Sequence, residues 1–556
     1  MAFIDIHTNN LSRQLRNAST YLDNWVYVPG TAITGDWKKP YAFRSLDEFQ
    51  KACGTSGPDG SLTYQYVAGL LSAGLPVLFR RIAYVNQSNL TDEDIIKAET
   101  ALKAGEDATP EQLAAIEKVK GVKRAKLELT HTVQDNDEPK QITDLIITEK
   151  YGGSYGNGLK ITIRKNGETS YVLEVYYNNS LVESNKFVTI PSTIQDQTEI
   201  NQLFINALSK LNMDKIDINV VETDATKFVL PTPDGESLLG GADIDEGLVG
   251  AEIPESLKYI YDKVLYQPKF ITSGGYTDEN MEDEQAGTSG ATPIATALRE
   301  ITLKRQDCRA LIDLPIGTPM EKYKSLASMV AYQQTSSQQS IPSASMYGPW
   351  QYMQVGNEQL WMPPSFVFLT VVGSDISKGG KAYTPKAGIL NGVVSNIIRP
   401  EFDIGSTISE DWQSDTSTNI NPIMRLQNGS YVINGNSTLL RPDVAGDEIN
   451  AFQESSADLT IIEIRRFIYN LATELQYQYN SADAFENFSI RTAKFFETMK
   501  SEGALDSYDI TNISTNDEPR KLKVQVDVYI TPTIKKIEIF LNVAYGSVEV
   551  VTGGAE

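Results

Sequence analysis

The clearest periodic signal lies toward the C-terminal end of the chain. Leu522, Val524, Val526, Val528 and Ile530 alternate with Lys521, Lys523, Gln525, Asp527 and Tyr529. A period of two predicts a strand with one buried and one solvated face. Pro532 interrupts the pattern, and Ile537, Ile539, Leu541 and Val543 resume it as a further strand near the last residue. Upstream the period lengthens. Ile461, Ile464, Phe467 or Ile468, Leu471 and Leu475 recur along one helical face and predict a helix over about 458–479. A second helix, about 486–502, ends at Gly503, where glycine accommodates the left-handed turn after a helix.

The front of the chain reads differently. Residues 1–23 carry only Phe3, Ile4, Ile6, Leu11, Leu15 and Leu22 as main apolar positions. That is too little surface to fold alone, so an arm ordered by a partner is expected, with Phe3 to Ile6 long enough for one strand. From Trp25 the pattern becomes globular: a strand Trp25–Val28 closed by Pro29-Gly30, a helix capped by Ser45 with Glu48 three residues on, a helix 64–73 and a buried strand 76–82. Residues 86–125 shift to Glu, Asp, Lys and Ala. Starts at Thr91 and Thr109-Pro110 and stops at Gly105 and Gly121 predict an exposed helical pair. A β-rich stretch follows to about residue 230, with strands 159–163 and 171–177, and the whole of 86–235 reads as an insertion closed by Pro231 to Gly235. Beyond Gly240-Gly241, strands at 261–270, 309–314 and 366–372 alternate with helices at 292–304 and 320–333. Such alternation predicts a mostly parallel α/β sheet.

Composition narrows the function. A net charge of −23 over 556 residues argues against nucleic acid, whose backbone demands clustered Lys and Arg, and suits solubility at high local concentration. No run approaches the roughly 20 apolar residues of a membrane span, so no membrane partner is expected. The opening Met1-Ala2-Phe3-Ile4-Asp5-Ile6-His7 lacks the features of a signal peptide, which predicts synthesis and assembly in a cytoplasm. Cys53 and Cys308, the two cysteines, fit buried small hydrophobes better than a disulfide or metal cluster.

Three stretches invite a chemical reading. Gly287-Thr288-Ser289-Gly290-Ala291-Thr292-Pro293 resembles the nucleophile turn of subtilisin-like serine proteases. A serine nucleophile needs a general base and a group to orient it, yet the chain has two histidines, His7 in the arm and His131 in the insertion. A helix-start role for Ser289 is expected instead. The acidic run Asp278, Glu279, Glu282, Asp283 and Glu284 lacks the spacing and central glycine of a calcium loop. Gly240-Gly241-Ala242-Asp243-Ile244-Asp245 lacks the Lys-Ser/Thr of a phosphate cradle. No catalytic residue, metal or cofactor is expected.

Several stretches, taken in order, resemble contractile tail sheath proteins of phages and related injection machines. They are the corner Tyr151-Gly152-Gly153-Ser154-Tyr155-Gly156-Asn157-Gly158-Leu159-Lys160-Ile161, the turn Trp361-Met362-Pro363-Pro364-Ser365, and Ala387-Gly388-Ile389-Leu390-Asn391-Gly392-Val393. Asn396-Ile397-Ile398-Arg399-Pro400, the 461–475 helix, Gly503-Ala504-Leu505 and the two terminal strands follow. Near the front, Val28-Pro29-Gly30 through Phe49 and Gly54 is similar to the segment after a sheath arm. The resemblance is patchy but collinear over about 25–545.

The resemblance implies a multidomain α/β and α+β protein. Its parts would be an N-terminal arm (1–23), the N-terminal part of the body (24–85), a β-rich outer insertion domain (86–235) and a catalytically inactive subtilisin-like α/β middle domain (236–395). An α+β C-terminal inner domain (396–530) and a C-terminal arm strand (531–556) complete it. It implies a structural subunit that polymerises helically, in hexameric rings, around a tail tube and contracts to drive the tube through a target envelope. Baseplate and tail terminator proteins would be further partners, and the location a virion tail or an extracellular particle. Strands lent between copies would come from Phe3, Ile4 and Ile6 and from Ile537, Ile539, Leu541 and Val543, with Leu522, Val524, Val526 and Val528 as acceptor strand. Arg465 and Arg466, on the 458–479 helix, would be tube-facing. The competing readings are a divergent serine hydrolase and a tail fibre or adhesin.

Overall fold

Apolar runs bounded by turn residues form the central sheet: β1 (Val26–Gly30), β2 (Tyr41–Phe43), β3 (Val77–Arg81), β4 (Phe270–Ile271), β5 (Arg309–Ile312), β6 (Ala344–Gly348), β7 (Val393–Val394), β8 (Asn421–Arg425) and β9 (Tyr431–Ile433). The computed structural model describes residues 24–534 apart from 105–107, 136–137, 280, 282–291, 333–341, 415–418, 442–450 and 516–520. The sheet order is β7-β9-β8-β6-β5-β4-β1-β3-β2. Pairing is parallel from β8 through β6, β5, β4 and β1 to β3, and antiparallel at both margins. From β1 the chain builds toward β3 on one side and, after the insertion, toward β4 on the other, so the strand order reverses between β1 and β4. Segments 24–85, 236–395 and 396–530 each contribute strands to this one sheet.

Alternation along each strand supplies two cores. Val26, Val28, Val77 and Phe79 face one side, packing on helices Thr63–Ser72, Pro364–Ser377, Ser455–Leu475 and Ala482–Ser501. Tyr27, Leu78, Ile271 and Ile312 face the other, against helices Glu246–Lys258, Pro293–Arg305 and Tyr323–Val330. Strands covered on both faces need no polar side, which accounts for their near-continuous apolar sequence.

Residues 86–240 form the predicted helices, Asp92–Ala104 and Pro110–Lys118, the second with a Thr109/Gln112 capping box. Strands Lys126–Asp135, Glu138–Glu149 and Ile216–Val220 pair as one sheet. Asp234–Ser237, Leu159–Asn166, Ser170–Tyr177 and Ser180–Thr189 pair as another. Leu145, Ile147, Ile161, Leu173, Phe204 and Leu208 give this region its own core. A polar knot joins it to the central sheet. Arg81, 1% exposed, donates to the carbonyls of Ala32 (3.0 Å), Gly35 (2.7 Å), Tyr151 (2.9 Å) and Gly152 (2.7 Å). Gly153 has φ +121°, and a Cβ there would sit 2.1 Å from the Ile33 carbonyl oxygen; only glycine fits.

Two sequence expectations fail. Residues 366–372 are helical, within Pro364–Ser377, not a strand. In the run 366–372 only Thr370 is polar, which is too little to mark a period; Phe366, Val367, Phe368, Leu369, Val371 and Val372 are buried among the 63–72 helix and the sheet, while Thr370 is half-buried and Ser374 exposed. Of 261–270 only the last residue enters a strand. The Asp262 carboxylate accepts from the N–H groups of Val264 (2.7 Å) and Leu265 (3.2 Å), a local turn that competes with extension.

Candidate assembly surface

The alternating C-terminal residues form a hairpin of β10 (Leu505–Asn512) and β11 (Val524–Ile530), with Tyr508 opposite Val528 and Ile510 opposite Val526. Gly503, φ +78°, ends the preceding helix and lets Ala504 N donate back to Met499 O at 2.9 Å. The apolar face of the hairpin packs on the main core through Tyr508, Ile510, Val526, Val528 and Ile530, and the Tyr508 ring meets Phe496 at 5.1 Å between centroids. Tyr508 OH donates to Glu497 Oε1 at 2.8 Å. Among the described residues this sheet has two strands, so the outer edges of β10 and β11 carry backbone groups without a ladder partner. Leu522 lies just before β11 and half-buried. Phe3, Ile4, Ile6, Ile537, Ile539, Leu541 and Val543 lie outside the described residues.

Arg465 and Arg466, the residues expected to face the tube, both bond within their own subunit, Arg465 half-buried and Arg466 buried. Arg466 is 4% exposed and donates to the carbonyls of Gln267 (3.0 Å), Pro268 (3.2 Å) and Asp307 (3.2 Å). Arg465 donates to Gln306 Oε1 at 2.9 Å and lies 5.7 Å from the Phe452 ring centroid. The helix therefore buries charged residues beside its apolar ones. Asp458 pairs with Arg309, which is fully buried, and Glu463 with Lys269 at 2.6 Å. Apolar periodicity could not reveal these, because a paired charge reads in sequence as a solvated one.

Two motifs acquire structural roles of the same kind. Ser365 opens the 364–377 helix, and Asp313, at the end of β5, accepts from its N–H (2.8 Å) and its Oγ (2.5 Å). Tyr66 OH lies 2.9 Å from the same Oγ. Burial raises the Asp313 carboxyl to about 7. In the glycine-rich corner, Asn157 bonds Gly241 twice, at 2.8 Å each way, and Asp243 accepts from Ser154 N at 2.9 Å. The Gly240-Gly241 stretch thus closes the insertion.

A cleft of about 610 Å³ opens beyond the ends of β1 and β4, lined by Glu246, Tyr276, Asp278, Trp350 and Trp361 among others. Where strand order reverses is the usual place for a ligand crevice in such sheets. Two of its carboxylates are already engaged, while Glu279 is exposed. Glu246, its pKa raised by burial, accepts from Thr31 Oγ1 and Tyr276 OH, each at 2.7 Å. Asp278 accepts from Ile294 N (2.9 Å) and Ala295 N (3.1 Å), capping the 293–305 helix. Glu282, Asp283, Glu284 and Ser289 lie outside the described residues. His131 pairs with Asp144 in the insertion, Nδ1 to Oδ2 at 2.6 Å, and its Nε2 has no partner among the described residues. Among those residues no group of His, Cys, Asp or Glu is arranged to hold a metal. Cys53 and Cys308 are buried, which pushes both thiols up to about 12.

No family model and no curated protein matches this chain. Solved structures do. The sheath tail protein Lin1278 from Listeria innocua is 12% identical, with a TM-score of 0.58 covering 94% of this chain and 95% of that one. The sheath tail protein DSY3957 from Desulfitobacterium hafniense is 11% identical, with a TM-score of 0.50 covering 96% of each. At such identity the likeness is one of fold: this chain has the multidomain α/β fold of sheath tail proteins.

Proposed function

We propose that this chain is a structural subunit of a contractile tail sheath, polymerising helically around a tail tube and contracting to drive that tube through a target envelope. The observation that carries the reading is the shared fold with two sheath tail proteins over more than nine-tenths of every chain compared. In this reading copies are linked by strands lent from their ends, through Phe3, Ile4 and Ile6 at one end and Ile537, Ile539, Leu541 and Val543 at the other. The hairpin is the acceptor, through β11 with Val524, Val526 and Val528 and the adjoining Leu522. The unpaired hairpin edges support it, since a lent strand satisfies their N–H and C=O groups. Tube contact at Arg465 and Arg466, of which Arg465 is half-buried, belongs to the same proposal. Hexameric rings, baseplate and terminator partners, an inactive subtilisin-like middle domain and a place in a virion tail or extracellular particle belong to the same proposal. Negative-stain imaging of the purified chain tests it: hollow helical tubes are expected, and a stable monomer at high concentration would overturn it.

A further inference from the structure

The chain leaves its hairpin through a held point. Thr531 N donates to Ala504 O at 3.3 Å as β11 ends. Pro532 follows, with no N–H to give. Thr533 is then gripped by one carboxylate: its N–H lies 3.3 Å from both oxygens of Glu454, and its Oγ1 donates to Glu454 Oε1 at 2.8 Å. Asn436 Nδ2 adds a bond to Thr533 Oγ1 at 3.3 Å, while Asn436 Oδ1 accepts from Ser456 N at 3.0 Å. Ile534, the next residue, is 81% exposed.

Glu454 is placed to take load. It immediately precedes the Ser455–Leu475 helix and is 7% exposed. Among the described residues its carboxylate accepts from Thr533 alone. Pulling Thr533 away would strand a buried charge, which is costly. The helix behind it is tied to the central sheet by the Asp458–Arg309 and Glu463–Lys269 pairs. Tension applied beyond Ile534 thus has a path from Thr533 through Glu454 and the helix into β5. Without that grip the same tension falls on the end of β11, where a hairpin ladder opens one bond at a time.

We propose that Glu454, Thr533 and Asn436 anchor the root of the C-terminal segment to the subunit body, so that a strand lent to another copy pulls on the central sheet and not on the hairpin. The proposal rests on the sheath reading, and its test separates the two. The full-length chain is compared with Thr533→Val, Glu454→Ala and Thr533→Ser, first by hydrogen exchange of residues 531–534 in the unassembled protein. Loss of a hydrogen bond to a buried carboxylate should speed exchange about tenfold or more in Thr533→Val and Glu454→Ala, with Thr533→Ser near wild type. The concentration needed for tube formation should rise about tenfold in the first two and not in the third. Unchanged exchange in Thr533→Val overturns the anchor, and it decides the matter should Glu454→Ala fail to fold. Faster exchange with unchanged assembly overturns its part in linkage. A wild-type chain that never assembles overturns the sheath reading, while the exchange result still decides the anchor.

Discussion

Removing the Asp458 carboxylate should loosen the long C-terminal helix from the sheet far more than an ordinary truncation. Arg309 is 0% exposed and sends Nε and Nη2 to Asp458 Oδ2 at 3.2 and 2.5 Å. Its remaining partners are on Ser455 and Ser343, with Nη2 to Ser455 O at 2.7 Å and Nε to Ser343 Oγ at 3.4 Å. In Asp458→Ala the guanidinium stays buried without its counter-charge, and the Ser343 hydroxyl loses its acceptor. Breaking one half of a buried pair costs about 3–5 kcal/mol. That corresponds to roughly two to four orders of magnitude in an opening equilibrium. Hydrogen exchange of the 455–475 amides reads this directly, because a helix released from its docking site opens locally. Arg309→Met combined with Asp458→Leu removes both charges and fills the space, so it should recover most of the loss. Less than a tenfold change in Asp458→Ala, or a double variant as easily opened as the single one, would refute the reasoning.

Three further outcomes are expected. The buried Asp313 carboxyl, raised from 3.8 to about 7, binds its proton more tightly in the folded state. Its stabilising contribution is full below about pH 4 and is lost as pH rises through about 7; Asp313→Asn should flatten the fall in melting temperature between pH 5 and 8, and equal slopes in the two proteins would count against the assignment. Gly153→Ala, forced against the Ile33 carbonyl at positive φ, should destabilise by about 1–3 kcal/mol, whereas Gly250→Ala, in open space on a helix, should stabilise by about 0.5–1 kcal/mol; chemical unfolding curves distinguish the two. Deleting residues 1–20 should leave a folded monomer that builds no connected lattice, and normal tubes from that truncation would place the linkage in the C-terminal strand alone.

The sequence by itself determined the elements whose reason is local. The alternation of residues 522–530, the helix after 458, the cap at Ser45 and the stop at Gly503 follow from side-chain period and backbone preference within a few residues, and each forms close to where it was expected, although of the helix's expected stripe only Ile464 and Leu471 are buried. Collinear motifs likewise pointed to the sheath fold before any geometry. Tertiary structure alone decided where the charges went. Nothing in the local sequence marks the partners of Asp313, Arg309, Asp458, Arg466 and Glu454, yet each is buried against a residue tens or hundreds of positions away. The 366–372 run reads as a strand because Thr370 is its one polar residue and marks no period, so packing against its neighbours chose helix over strand. Local physics sets the period of a segment; which buried polar groups meet depends on contacts that no window of sequence contains.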